Sequence, residues 1–358
     1  MQEKQKVQRK VHIELLRIAA CFSVVMLHSA AQYWYSFPVD SKQWLICNTY
    51  DALFRFGVPV FVMISGMLFL GREEKIDIKR LFRKNILRLV VIYLVWSFLY
   101  SLWLLRDFIG TAEFSWGKCI EYSVQGRYHL WFLSMLVAIY LLLPILKTWT
   151  DHAEKRHIQY FLLLFLILQI GKETLEIFEW PTAMDSALNL INVELAGSYV
   201  GYFVLGYYIY KFPPVKKIQN LIYLSGVAGA VLAAVVSAAM SHYYNSAQPA
   251  AFDSYSVFTF CVSVAVFVFF QEKVSKIQFS QRAGRIICAV SADTFGIYLI
   301  HVMLLDTLKT VDISTKELFG HPISLLWGIP FMAVCCFLIS MCVAALLRRI
   351  PVVGKYIC

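Results

Sequence analysis

The chain has 358 residues, 59% of them hydrophobic and only 16% charged, against the roughly one quarter charged that a soluble protein of this size carries. A net charge of +10 raises nucleic acid as a partner, but 24 of the 33 Lys and Arg fall in alternate connections between apolar runs. That pattern is membrane topology rather than a binding face. The nine cysteines include no CxxC and no metal-type Cys/His spacing, so no metal site is predicted.

Taken in chain order, ten apolar runs stand near 11–33, 50–70, 82–105, 128–147, 158–178, 188–210, 218–241, 253–271, 286–309 and 322–347. Each approaches the roughly 20 residues that a membrane helix needs. They predict an all-α polytopic membrane protein of about ten transmembrane helices: one domain over residues 1–358, no soluble domain, both termini cytoplasmic. The first run contains Arg17 and lacks a clear small-residue cleavage site, so it reads as a retained helix rather than a signal peptide. The fifth is diluted by Gln169, Lys172, Glu173 and Glu176. The longest connections expected outside the membrane are 34–49 and 106–127 on the outer side and 71–81 on the inner. The outer segments hold only Lys42, Arg55, Arg106, Lys118, Arg127, Lys172, Lys309 and Lys316 of the basic residues. Cys47 and Cys119 both fall on that side; free thiols are favoured, and a pairing stays open.

The first run, "IELLRIAACFSVVMLH", keeps three polar side chains where an Arg, Lys or Asp costs about 2.5–3.5 kcal/mol on insertion scales. Arg17 and His28 are 11 residues apart, which returns them to within roughly 20° of one face and about 16 Å along the axis. Glu14 precedes Arg17 by three and shares that face. Arg17 alone reads equally well as a side chain snorkelling to headgroups. The three together read as a polar path inside a bundle. His129 in "GRYHLWFL" and His301 in "FGIYLIHVMLL" lie at a depth similar to His28, with Glu194 and Asp306 at comparable heights. Each alone is more often a packing residue. Converged, they suit proton transfer to and from a hydroxyl. His152, His157, His242 and His321 fall in predicted loops. On the inner side Arg80, Arg83, Lys84 and Arg88 recur at spacings of three and four, so several are expected on one face. That face is either an anchor for anionic headgroups or a phosphate site for a soluble cosubstrate.

Several segments together resemble the acyltransferase 3 family of integral membrane O-acyltransferases. The family mark in the first span, Arg or Lys, ten residues, then His, is met by Arg17 and His28. "FRFGVPVFVMISGMLFL", with Gly57, Pro59, Phe61, Ser65 and Gly66, is similar to its second span. "KRLFRKNILRLVVIYLVW" is similar to its basic third-span entry. "YHLWFLSMLVAIYLLLPIL", "YVGYFVLGYYI", "FGIYLIHVMLL" and the final "RIPVVGKY" follow in the family's order. Where the family often has two Arg separated by two residues, Asn85 takes the first place and Arg88 the second, and a frequent Pro is Val91. The likeness leans to the surface-polysaccharide O-acetyltransferase branch, which includes the enterobacterial common antigen O-acetyltransferase. The appended periplasmic domain of some members is not expected, and no second catalytic centre with it.

The resemblance implies a multi-pass protein of the cytoplasmic membrane that uses acetyl-CoA, or another acyl-CoA, as cosubstrate, with no permanently bound cofactor. It implies that Arg17, Arg83, Lys84 and Arg88 hold the donor phosphates and that His28 acts as general base or transient acyl carrier. Glu14 is read as a catalytic residue that orients Arg17. His129, Trp131, Glu194, Tyr298 and His301 are candidates for acceptor binding or oxyanion support. The acceptor would be a hydroxyl of a surface or lipid-linked glycan. A transporter of a proton or small solute such as an amino acid, using the same Glu/Arg/His stripe as a relay, stays open as the other reading; it has no need of the inner basic cluster. Small-residue runs such as "SGVAGAVLAAVVSAAM" allow close helix packing within or between chains.

Overall fold

The computed structural model describes residues 2–111, 113–178, 199–350 and 354, with side chains from residue 11 onward. The apolar runs become helices because, without water, backbone N–H and C=O groups must find partners within their own segment. In chain order these are α1 (Gln2–Ala31), α2 (Lys42–Phe54), α3 (Gly57–Leu70), α4 (Leu87–Leu104), α5 (Trp116–Gln125) and α6 (Trp131–His152). Then follow α7 (Lys155–Phe165), α8 (Val200–Lys211), α9 (Lys216–Tyr243), α10 (Val257–Glu272), α11 (Gln281–Lys309) and α12 (Leu325–Arg349). A short antiparallel pairing of Glu317–Leu318 with His321–Pro322 closes the α11–α12 loop. Nine segments among the described residues are long and apolar enough to cross a membrane. The sixth expected span is described only through α8; residues 188–198, Glu194 among them, lie outside the described residues, as does most of the final "RIPVVGKY". Below, the Lys- and Arg-rich ends of the helices are called the basic end.

Two stretches expected as outer loops carry helices instead. The second half of 34–49 belongs to α2, whose N-terminus Ser41 caps by accepting from the Trp44 N–H at 3.1 Å. The 106–127 stretch holds α5, capped in the same way by Ser115. Lys42, Asn48 and Asp51 break up the hydropathy of α2, so a window that scores apolarity passes over it. The structure also moves Arg55 from a loop into the break between α2 and α3, where Nη2 lies 2.5 Å from the fully buried Asp51 carboxylate. Cys47 and Cys119 are both buried free thiols; Cys119 Sγ lies 3.1 Å from Ser101 Oγ.

The diluted fifth span satisfies its polar groups along its own axis. Gln169 Nε2 donates to Glu173 Oε1 at 3.1 Å, and Lys172 and Glu176 pair at 3.5 Å, just past a π-helical turn over Leu166–Gly171. A second π turn, Phe82–Ile86, joins the short helix Ile78–Leu81 to α4. It adds a residue to one turn and shifts the phase of everything after it.

The centre of the bundle is the crossing of α3 with α8. A Cβ on Gly66 would fall 1.7 Å from the Phe203 carbonyl oxygen, and one on Gly206 would fall 2.1 Å from the Met63 carbonyl oxygen. Two backbones thus touch reciprocally, and dispersion at this contact takes over from the hydrophobic effect, which is weak between helices in lipid. Gly66→Ala or Gly206→Ala is expected to cost about 1–3 kcal/mol through overpacking against rigid backbone, read as a lower Tm of the detergent-solubilised protein.

Candidate active site

The site forms where α1, α11 and the entry to α6 meet, at the end opposite the basic one. The half-buried His28 comes from the last turn of α1 and the fully buried His301 from α11. His28 Nδ1 lies 2.7 Å from His301 Nε2. The two rings are nearly parallel, at 11°, with centroids 4.9 Å apart. Face-to-face stacking keeps ring atoms beyond about 3.5 Å, so a 2.7 Å contact places the bond in the ring plane. His301 Nδ1 in turn lies 2.7 Å from the Tyr298 carbonyl oxygen.

This chain of contacts determines where the protons sit. A carbonyl only accepts, so His301 Nδ1 carries a hydrogen and donates it to Tyr298 O. In the neutral ring, Nε2 then has the lone pair. His28 Nδ1 must therefore donate to it, and His28 Nε2 is left as the bare, basic nitrogen. That is the tautomer a general base needs.

His129 completes the group. Its ring centroid is 5.4 Å from that of His301 and 5.6 Å from that of Tyr298, edge-on in both cases. Among the described residues neither His129 nitrogen has a partner within hydrogen-bonding geometry. The backbone of Leu299 is near, but its carbonyl already accepts from Tyr100 Oη at 2.9 Å. Tyr298 donates its hydroxyl to the His129 carbonyl oxygen.

The turn that carries His301 is held from three sides. Tyr100 Oη donates to Leu299 O and accepts from Met303 N at 3.1 Å, standing inside an i→i−4 helical bond. Cys336 Sγ on α12 reaches the His301 carbonyl at 3.5 Å. Arg127 pairs with Asp306 at 2.8 Å and ties the 127–130 turn to α11. Tyr128 from that turn stands edge-on to His28 at 5.5 Å. The Arg55 guanidinium is close enough for its charge to be felt at the His28 ring.

The remaining candidates separate by position. Glu14 does not stand beside the histidines: it lies about 21 Å below His28 along α1. Its carboxylate accepts from Arg17 Nη1 at 3.0 Å and from Ser291 Oγ at 2.5 Å, so it positions Arg17 and ties α1 to α11. Trp131 is 44% exposed and packs at a tilt against Tyr199 at 5.5 Å, beside the histidines rather than among them. Tyr199 in turn packs on Tyr202 and Tyr255, an aromatic group with no periodic signature in the sequence.

At the basic end a polar cavity of about 340 Å³ is lined by Arg72, Lys75, Arg80 and Lys84, with Phe69, Glu74, Asp77 and Asn85. Of the expected cluster only Arg80 and Lys84 line it. The π turn after Leu81 breaks the 100° stepping that placed Arg83 and Arg88 on the same face, and both are exposed elsewhere on the surface. Arg72 and Lys75 enter from the α3–α4 loop, whose fold no periodicity reveals. From this cavity a half-buried face leads inward. The Arg72 guanidinium lies 5.0 Å from the Phe69 ring, which lies 5.0 Å from Tyr140, and Tyr140 feels the charges of both Arg72 and Arg17. Phe69, Ser65 and Phe61 recur every four residues on α3, and Phe61 meets Phe132, which meets Tyr298.

Fold and site thus define a polytopic membrane protein with a basic pocket at one end, a histidine centre at the other and an aromatic wall between them. The profile of the acyltransferase 3 family, described as an acyltransferase domain, matches residues 11–349, and the chain belongs to that family. It is a membrane acyltransferase. No curated protein and no solved structure matches it significantly.

The buried Asp51–Arg55 pair beside the centre gives a direct test of its packing. Removing one partner strands the other charge away from water. Asp51→Ala is expected to destabilise by about 3 kcal/mol, the low end for a buried pair because the Arg55 side chain is 29% exposed. The double variant Asp51→Leu/Arg55→Leu is expected to recover most of that, measured as a thermal-unfolding double-mutant cycle.

Proposed function

We propose that the protein moves an acyl group, acetyl in the first instance, from acyl-CoA to a hydroxyl of a surface or lipid-linked glycan, in the manner of the surface-polysaccharide O-acetyltransferase branch. The observation that carries this reading is the chain Tyr298 O, His301, His28, which leaves a bare imidazole nitrogen in a half-buried position. The basic end faces the cytoplasm of a cytoplasmic membrane, as the distribution of Lys and Arg supports. The donor's phosphates rest on Arg72, Lys75, Arg80 and Lys84 through charge-assisted hydrogen bonds, and its thioester arm extends along the Phe69–Phe61 face past Arg17.

His28 Nε2 takes the proton of the acceptor hydroxyl as that oxygen attacks the thioester carbonyl. The imidazolium is stabilised because its Nδ1–H already donates to His301. The C–S bond then breaks, and His28 returns its proton to the departing CoA sulfur. Arg55 supplies positive charge near the developing oxyanion. Trp131 and the tyrosines beside it offer faces for a sugar ring. The inner basic cavity favours this reading over solute transport, because a carrier of protons or amino acids has no use for four converging cations.

Incubating the purified protein with radiolabelled acetyl-CoA and candidate glycans tests the reading. Absence of both CoA binding and CoA release would overturn it. His28→Ala is expected to abolish transfer. His301→Ala, which removes only the partner of the base, is expected to lower kcat about 10²-fold with little change in the donor KM. Lys84→Ala and Arg80→Ala are expected to raise the donor KM and to flatten its salt dependence, leaving kcat largely intact; Arg83→Ala is expected to do neither.

A further inference from the structure

The largest apolar concavity among the described pockets plays no part in that chemistry. It is a groove of about 770 Å³ on the outside of the bundle, between α9 and α10. Its floor is made of small residues, Gly226, Ala230 and Ala265, where α9 and α10 approach so closely that a Cβ on Gly226 would lie 2.3 Å from Ala265 Cβ. One end is polar and the rest is not. Asn220, Tyr223 and Lys273 line the basic end; Val231, Val262, Leu53 and Phe56 close the other.

Three observations indicate what fills it. From Asn220 to Val231 on α9, and from Lys273 to Val262 on α10, the groove runs 11 residues, about 16 Å. Half of a roughly 30 Å hydrocarbon core is about 15 Å, so the groove spans one leaflet, from the headgroup plane to the midplane. The Tyr223 hydroxyl is buried and has no hydrogen-bond partner among the described residues. Lys273 is exposed and makes no ion pair among the described residues, while the neighbouring Glu272 accepts from Gln219 at 3.2 Å. An apolar occupant gains little over bulk lipid in such a setting, since lipid tails are as apolar as Leu. Selectivity has to come from the polar end, which offers a cation and a hydroxyl donor.

We infer that this groove is a binding site for an anionic phospholipid of the inner leaflet. One acyl chain lies along Gly226, Ala230 and Ala265, and the phosphate meets Lys273 and the Tyr223 hydroxyl. The site is independent of the acyl-transfer reading and stands or falls apart from it.

Native mass spectrometry of the full chain, released from detergent with phosphatidylglycerol or phosphatidylcholine of equal chain length, tests the inference. The wild type is expected to retain phosphatidylglycerol preferentially. Lys273→Gln is expected to reduce that preference about fivefold, the contribution of one basic residue near a membrane surface, and Lys273→Arg to keep it. Ala230→Phe, which fills the floor, is expected to displace both lipids while Lys273→Gln leaves phosphatidylcholine unchanged. Lys273 is exposed, so its variants test the site even if Ala230→Phe fails to fold. Equal retention of the two lipids by the wild type, or an unchanged preference in Lys273→Gln, would overturn the proposal. So would chain-to-chain crosslinking of Val227→Cys, because a second copy would then cover the groove.

Discussion

A backbone carbonyl accepts hydrogen bonds and never donates them, and the protonation pattern of the site follows from that. Tyr298 O settles the tautomer of His301, which settles that of His28. Among the described residues no acidic side chain touches the pair; the position that a carboxylate takes in hydrolase triads is held here by a neutral imidazole anchored on a helix. In a low-dielectric span an uncharged pair avoids the desolvation cost that a buried carboxylate would carry.

The rest of the bundle keeps that chain of contacts in place. A hydroxyl inserted into the 299–303 bond, a thiol from α12 on the His301 carbonyl and the Arg127–Asp306 pair all act on one turn of α11 or on the segment facing it. At the other end of α1, Glu14 links Arg17 to Ser291 and so fixes α1 against α11 a second time. The helix that carries His28 is thereby pinned at both ends to the helix that carries His301. Its rise sets the spacing of Arg17 and His28 at about 16 Å.

Polar groups at membrane depth are arranged by the same economy. Asp51 and Arg55 neutralise each other, and Gln169, Lys172, Glu173 and Glu176 pair along one helix. Asn48 collects Ser237 and the Ala234 carbonyl at 2.9 Å each. The groups left over are the informative ones. Among the described residues they include His129, with neither nitrogen bonded, the Tyr223 hydroxyl and the Arg55 Nε. Tyr223 lines the groove between α9 and α10, and the His129 ring stands edge-on to His301.

The sequence by itself determined the helical membrane architecture, the family and the alignment of Glu14, Arg17 and His28, because hydropathy and the 100° helical step are local properties. It also placed His129 and His301 at the depth of His28. Only the tertiary structure decided that His301, 273 residues away, is the one bonded to His28, since depth along a helix says nothing of which faces meet. The π turn at Phe82–Ile86 takes Arg83 and Arg88 off the face that lines the basic cavity, while Arg72 and Lys75 enter it from the α3–α4 loop. One added residue in a turn changes the phase of a helix without changing its hydropathy. The first two turns of α2 escape hydropathy because Lys42 and Asn48 interrupt the apolar run before residue 50, and Arg55 groups with the outer segments because its pairing with Asp51 depends on side-chain packing that hydropathy does not report.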